Sequence, residues 1–171
     1  MAALTGSLPQ QALLVTGPDD IALAKAALAQ CAGAALFHLV NPPGWGAAWW
    51  QALTGDLAAP LLPLFDAAGE SGSALEALYA GCRNVALDDA HLPPPAVASL
   101  ADIARQLGAR LHPRPIGYIP VPRSNNPDWK ARWLAEWLDA AAASGYGQGT
   151  KGQDTGAGAL PPSAPPAPHP S

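Results

Sequence analysis

Short apolar runs alternate along this chain with longer stretches of helical periodicity. The runs at residues 11–16, 34–40, 61–65, 85–87 and 110–112 are brief, mostly rich in Leu, Val and Ala, and bounded by Gly, Pro, Asn or Asp. Continuous apolar runs of this length, without period-two alternation, predict strands buried on both faces. Between them, residues 21–32 carry Ile21, Ala24 and Leu28 on one face, follow Asp19-Asp20 and stop at Gly33. A second helix is expected over 45–53, after Asn41-Pro42-Pro43-Gly44, and a third over 72–81, with Leu75, Leu78 and Tyr79 spaced for burial. Pro93-Pro94-Pro95 opens a fourth that ends at Gly108. Asp satisfies the free N–H groups of a first helical turn, proline is tolerated there, and glycine accepts the left-handed stop.

Strands alternating with helices at these lengths indicate βαβ units. The expected architecture is a three-layer, open parallel α/β sheet of four or five strands, flavodoxin-like, with right-handed crossovers covering both faces. Half of a (β/α) barrel has the same element order. Pro63 argues for an edge or a bulge, because proline removes a ladder donor. Residues 116–126 read as a loop, and Pro127-Asp128 open a last helix over 129–143. The domain plan is an arm at 1–10, one α/β domain at 11–143 and a tail at 144–171. That tail holds six Gly and six Pro with few apolar residues, a composition expected to be disordered.

Net charge is −4, and the nine Lys and Arg are scattered rather than gathered in a stripe. Nucleic-acid binding is therefore not expected. No stretch reaches the length of a membrane span and no leader is visible, so a soluble cytoplasmic protein is the expectation. Cys31 and Cys82 lie far apart with no CxxC pair, which removes the zinc spacings and suggests small buried hydrophobes.

Three of the apolar runs end in carboxylates: Asp19 and Asp20 after the first, Asp66 after the third, Asp88 and Asp89 after the fourth. Ligands of open α/β sheets bind outside the carboxyl ends of the strands. With strand order 2-1-3-4-5 these five acids would converge, and a hard cation such as Mg²⁺ or Ca²⁺ would neutralise them. The alternative is that Asp19 or Asp20 and Asp89 are helix caps or turn residues. Gly69, Ser71 and Gly72 form a strand-to-helix turn able to hold an anion on backbone N–H groups, without the Lys of a P-loop. His91, His112 and Arg114 follow strands four and five and could line the same rim, whereas mid-strand His38 reads as core. Trp129, Trp133 and Trp137, at i, i+4 and i+8, share one helix face. They serve either as core or, Trp129 and Trp133 foremost, as a partner surface; Trp45, Trp49 and Trp50 pose the same question.

The layout of residues 11–116 resembles the receiver domain of bacterial response regulators. The resemblance rests on Asp19-Asp20, on Asp66 forty-six residues after Asp20, on the helix-like Gly72-Ser-Ala-Leu75-Glu-Ala-Leu78, and on Gly108 to Pro115. It implies Asp66 as a phospho-acceptor. The chain departs from that family in three ways: Asp88 or Asp89 stands at the hydroxyl switch, Arg114 replaces the lysine, and no Met-Pro follows the acceptor. The first functional expectation is a non-catalytic α/β module that binds a protein partner, regulates an assembly or self-associates. The alternatives are a small-ligand or Mg-dependent enzyme acting on a phosphorylated compound, and a degenerate phospho-acceptor.

Overall fold

The computed structural model describes residues 12–29, 36–114 and 118–143. The elements are β1 (Ala12–Leu14), α1 (Pro18–Leu28), β2 (Phe37–Val40), α2 (Ala47–Thr54), β3 (Leu61–Asp66), α3 (Ser71–Tyr79), β4 (Asn84–Leu87), α4 (Pro94–Gln106), β5 (Arg110–Pro113), β6 (Ile119–Pro120) and α5 (Pro127–Ala143). All the strand pairs are parallel, so the α/β class and the parallel sheet are as the alternation predicts. The sixth strand, β6, lies in the stretch expected to be a loop. It has two residues, one of them proline, and only its pairing with Leu13 and Leu14 makes it a strand. The arm at 1–10, Cys31 and the tail from Ser144, which includes His169, lie outside the described residues. Among the described residues no helix is long and apolar enough to cross a membrane.

Strand order is a correction. The sheet runs β5-β4-β3-β2-β1-β6, so β2 separates β1 from β3. Each of the first four crossovers steps to the next strand in the same direction, and crossovers of one hand then stack their helices on one face. Burial agrees. Ile21, Trp50, Leu78, Leu100 and Trp133, one from each helix, join Leu13, Leu39, Phe65, Val85 and Leu111 in a single apolar cluster. The opposite face contributes Ala12, Val40, Leu64 and Ala86 to a second cluster that contains no helical residue. Among the described residues, the third layer of a doubly wound sheet is not seen.

The sheet is strongly curled, with the helices on its convex side. β2 and β5 are three strand spacings apart, about 14 Å on a flat sheet, yet the rings of His38 and His112 lie 6.3 Å apart on the concave face. Chain length points the same way. From Pro113 to Ile119 the backbone can reach about 20 Å, less than the roughly 24 Å between the edges of a flat six-stranded sheet.

Pro63 sits in central β3, not at an edge. The ladder to β4 begins only at Phe65, and the Asn84 side-chain amide donates to the Pro63 carbonyl at 3.3 Å. No donor is missed at a position where the ladder has not started.

The concave face makes the fold sensitive to acid. His38 is 5% exposed and its Nδ1 has no hydrogen-bond partner. Burial, and then the nearby His112, lower its pKa from 6.5 to about 4. His112 is lowered in the same direction by burial and then by Arg110. The unfolded chain therefore takes up protons first as pH falls. The contribution of His38 is complete above about 6.5, is lost as pH drops toward 4, and corresponds to roughly 3 kcal/mol. Urea unfolding at pH 7 and pH 4.5 should show this loss, and His38→Leu should flatten it. Equal acid sensitivity in the variant would place the proton uptake elsewhere.

Candidate functional site

The carboxyl ends of the strands carry the expected acids, but the fold gives them different tasks. Asp20, in the first turn of α1, is 1% exposed. Its Oδ2 accepts from the Thr16 amide at 2.7 Å, the Thr16 hydroxyl at 2.8 Å and the Gly17 amide at 3.2 Å, while Oδ1 accepts from Lys130 Nζ at 2.6 Å. It is a structural lock between the start of α1 and the start of α5. Asp19 is exposed on the same turn. Asp88 accepts from the Ala90 amide at 3.1 Å, a turn bond of the Asx type, and Asp89 is exposed in the same turn. The five acids do not form one centre. Among the described residues no three His, Cys, Asp or Glu side chains gather where they could hold a metal ion.

Asp66 is different. It ends β3 at the floor of a cleft of about 450 Å³ that opens among the carboxyl ends of β1, β2 and β3. Its side chain is 10% exposed. Oδ2 accepts from Nε of Arg114 at 3.0 Å and lies 3.0 Å from Nη2 in the same ion pair. Oδ1 accepts from the Ala68 amide at 2.9 Å. The Asp66 amide donates to Asn41 Oδ1 at 2.6 Å, so the buried Asn41 at the end of β2 fixes the end of β3. Ala68 has φ +51°, a left-handed backbone that costs a non-glycine residue about 1–2 kcal/mol. It is held there by Asp66 and by the Asp88 amide, which donates to the Ala68 carbonyl at 2.6 Å. Backbone strain of this kind concentrates at functional sites.

Arg114 directly follows β5 and Tyr118 directly precedes β6, and both line the Asp66 cleft although their strands lie at opposite edges of the sheet. The guanidinium lies 5.7 Å from the centre of the Tyr118 ring. The Tyr118 hydroxyl is buried and close enough to Asp66 and Arg114 to feel both, yet makes no hydrogen bond of acceptable geometry. Burial, and then the Asp66 charge, push its pKa above the ordinary value. It keeps its proton at neutral pH, with the Asp66 carboxylate as the neighbouring acceptor.

The walls come from two helix starts. Trp45 and Gly46 lead into α2, and Ser73 and Glu76 stand on α3, with Glu70 as its N-cap residue. The half-buried Trp45 ring packs against buried Trp50, centroids 6.3 Å apart. Of the anion loop, Gly69, Ser71 and Gly72 are all exposed at the start of α3, and the N-cap residue between them is the acidic Glu70, also exposed. Of the rim group, Arg114 is in the cleft and His91 is exposed beyond β4. His112 is a correction: it points into the concave face, with Nε2 3.2 Å from Asn84 Oδ1. Trp133 is a second correction, since it lies in the core and not on a partner surface. Cys82 is a buried hydrophobe, its thiol pushed up to about 11 by burial and then by Glu76.

Asn41, Tyr118, Glu70 and Glu76 line the cleft without having been expected there. Asn41 had a visible signal, because it closes a predicted strand as the acids do. Tyr118 had none, being set in a proline-rich stretch whose partner elements are remote in sequence.

No family model matches this chain, and neither a curated protein nor a solved structure matches it.

Proposed function

We propose that this chain is an α/β module that binds a small polar molecule in the cleft over Asp66, Arg114 and Tyr118. The observation that carries the reading is the Asp66–Arg114 ion pair, backed by Tyr118, in a cleft of about 450 Å³ at the carboxyl end of a parallel sheet. The volume is of the size that small-molecule sites occupy.

The partner-surface reading draws less support. Its Trp133 is core, and Trp49, the exposed tryptophan of α2, is a single side chain of the kind that surfaces ordinarily carry. The phospho-acceptor reading keeps the Asp66–Arg114 pair, but a receiver-like sheet has the order 2-1-3-4-5, which this sheet lacks.

A thermal-shift screen of small metabolites tests the proposal. A true ligand should raise the melting temperature of the wild type by mass action. It should shift Arg114→Met and Tyr118→Phe much less. Tyr118→Phe without ligand should melt at or slightly above the wild type, because it deletes an unpaired polar atom. Shifts of equal size in wild type and both variants would place binding elsewhere.

A further inference from the structure

We infer that the molecule this cleft takes is a neutral ring bearing vicinal hydroxyl groups, either a monosaccharide or the ribose of a nucleoside. The inference rests on the reading of the cleft as a binding site and names its ligand class.

Hydrogen-bonding capacity is the first ground. The Arg114 N–H groups not engaged by Asp66 are donors, on a side chain that remains 41% exposed. The Asp66 carboxylate, each of whose oxygens accepts one hydrogen bond, and the Glu76 carboxylate are acceptors. Donors and acceptors thus line the same cleft. A phosphate or carboxylate ligand only accepts, and an ammonium only donates. Adjacent hydroxyls do both, and a pair of them matches a carboxylate and a guanidinium fixed at 3.0 Å.

Charge is the second ground. Asp66, Glu70 and Glu76 against Arg114 leave the lining at three negative charges to one positive, a net −2. The N-termini of α2 and α3 open onto the same cleft and each offsets about half a charge, so the field is close to neutral and slightly negative. A ligand carrying a negative charge of its own would add to that excess. The third ground is Trp45, whose ring is braced by Trp50 at 6.3 Å and forms a wall of the cleft. A rigid indole offers a flat apolar surface to the C–H face of a sugar or to a base.

Saturation-transfer NMR on the full chain, with D-glucose, D-galactose, D-mannose, D-ribose and adenosine as probes, tests this. Glucose 6-phosphate and glucosamine serve as anionic and cationic counterparts. At least one neutral probe should receive saturation at its ring C–H protons, and its phosphorylated counterpart should bind at least about tenfold more weakly. Trp45→Ala and Arg114→Met should abolish the transfer. Tyr118→Phe, which removes one oxygen and disturbs no packing, should weaken it. Transfer to adenosine but to no free sugar supports the inference with a nucleoside as the source. Tighter binding of glucose 6-phosphate or glucosamine overturns it, as does neutral-sugar binding indifferent to all three variants. If no carbohydrate binds while a molecule of another class from the metabolite screen depends on Arg114 and Tyr118, the ligand class is wrong and the site stands. If neither set binds, both fall.

Discussion

Replacing Lys130 by methionine is expected to destabilise the fold by about 3–5 kcal/mol. The change leaves the Asp20 carboxylate with no cation while it stays buried, 1% exposed, under the start of α5. A buried charge that loses its partner cannot recover its hydration, which is why breaking a buried pair costs more than the pair itself contributes. The three remaining donors, the Thr16 amide and hydroxyl and the Gly17 amide, hold Asp20 in place and prevent it from turning outward. The effect should reach beyond the site, because the bridge joins the start of α1 to a helix more than a hundred residues later. Asp20→Asn in the Lys130→Met background should recover part of the loss, since no charge is then left buried, and the cycle of single and double variants isolates the pair. Urea unfolding provides the measurement. A loss below about 1 kcal/mol for Lys130→Met would mean that water reaches Asp20 and that the pair behaves as a surface one.

That same pair shows where the sequence stops being legible. The alternation of apolar runs and helical stretches is enough for the five helices and the first five strands, for their parallel pairing and for the α/β class, but not for β6. Strand order was not readable, because 2-1-3-4-5 and 5-4-3-2-1-6 demand the same local pattern and differ only in the direction in which each crossover steps. With the order went the grouping of the acids. An Asp at a strand end looks alike whether it caps a helix, closes a turn or faces a cleft. Its role is set by what meets it, here Lys130 for Asp20 and Arg114 for Asp66. Both partners lie far along the chain. Tyr118 was hidden for a related reason. Its hydroxyl matters because β6 pairs with β1 at one edge while Arg114 arrives from the other, and neither event leaves a mark on the residues around position 118. His112 was placed one turn of logic too far out. Its register opposite Ala86 sends it to the concave face, and two residues later Arg114 is the one that clears the strand.

The tryptophan stripe was the most legible feature of α5, and it carries the last prediction. Residues four apart on a helix are rotated by about 40°, so Trp129 and Trp137 differ by about 80° and cannot both point straight at the core. The structure centres the buried face on Trp133, Leu134, Trp137 and Leu138, and leaves Trp129 half-buried in the first turn. Trp133 is 4% exposed and Trp137 7% exposed, the latter with its ring 5.9 Å from that of Phe37 on β2. Truncating either to alanine removes an indole from a packed interface between α5, α1 and the sheet. The expected cost is about 3–5 kcal/mol, combining lost transfer energy with the cavity left behind. Trp129→Ala should cost less than about 2 kcal/mol, because only part of that ring leaves water on folding. Denaturant melts of the three single variants give the ranking, and acrylamide quenching of variants that retain only one tryptophan gives the exposure independently. Quenching should be partial at 129 and suppressed at 133 and 137. Free quenching at 133 or 137 with an unchanged melt would lift α5 off the sheet and return the stripe to the role of a partner surface.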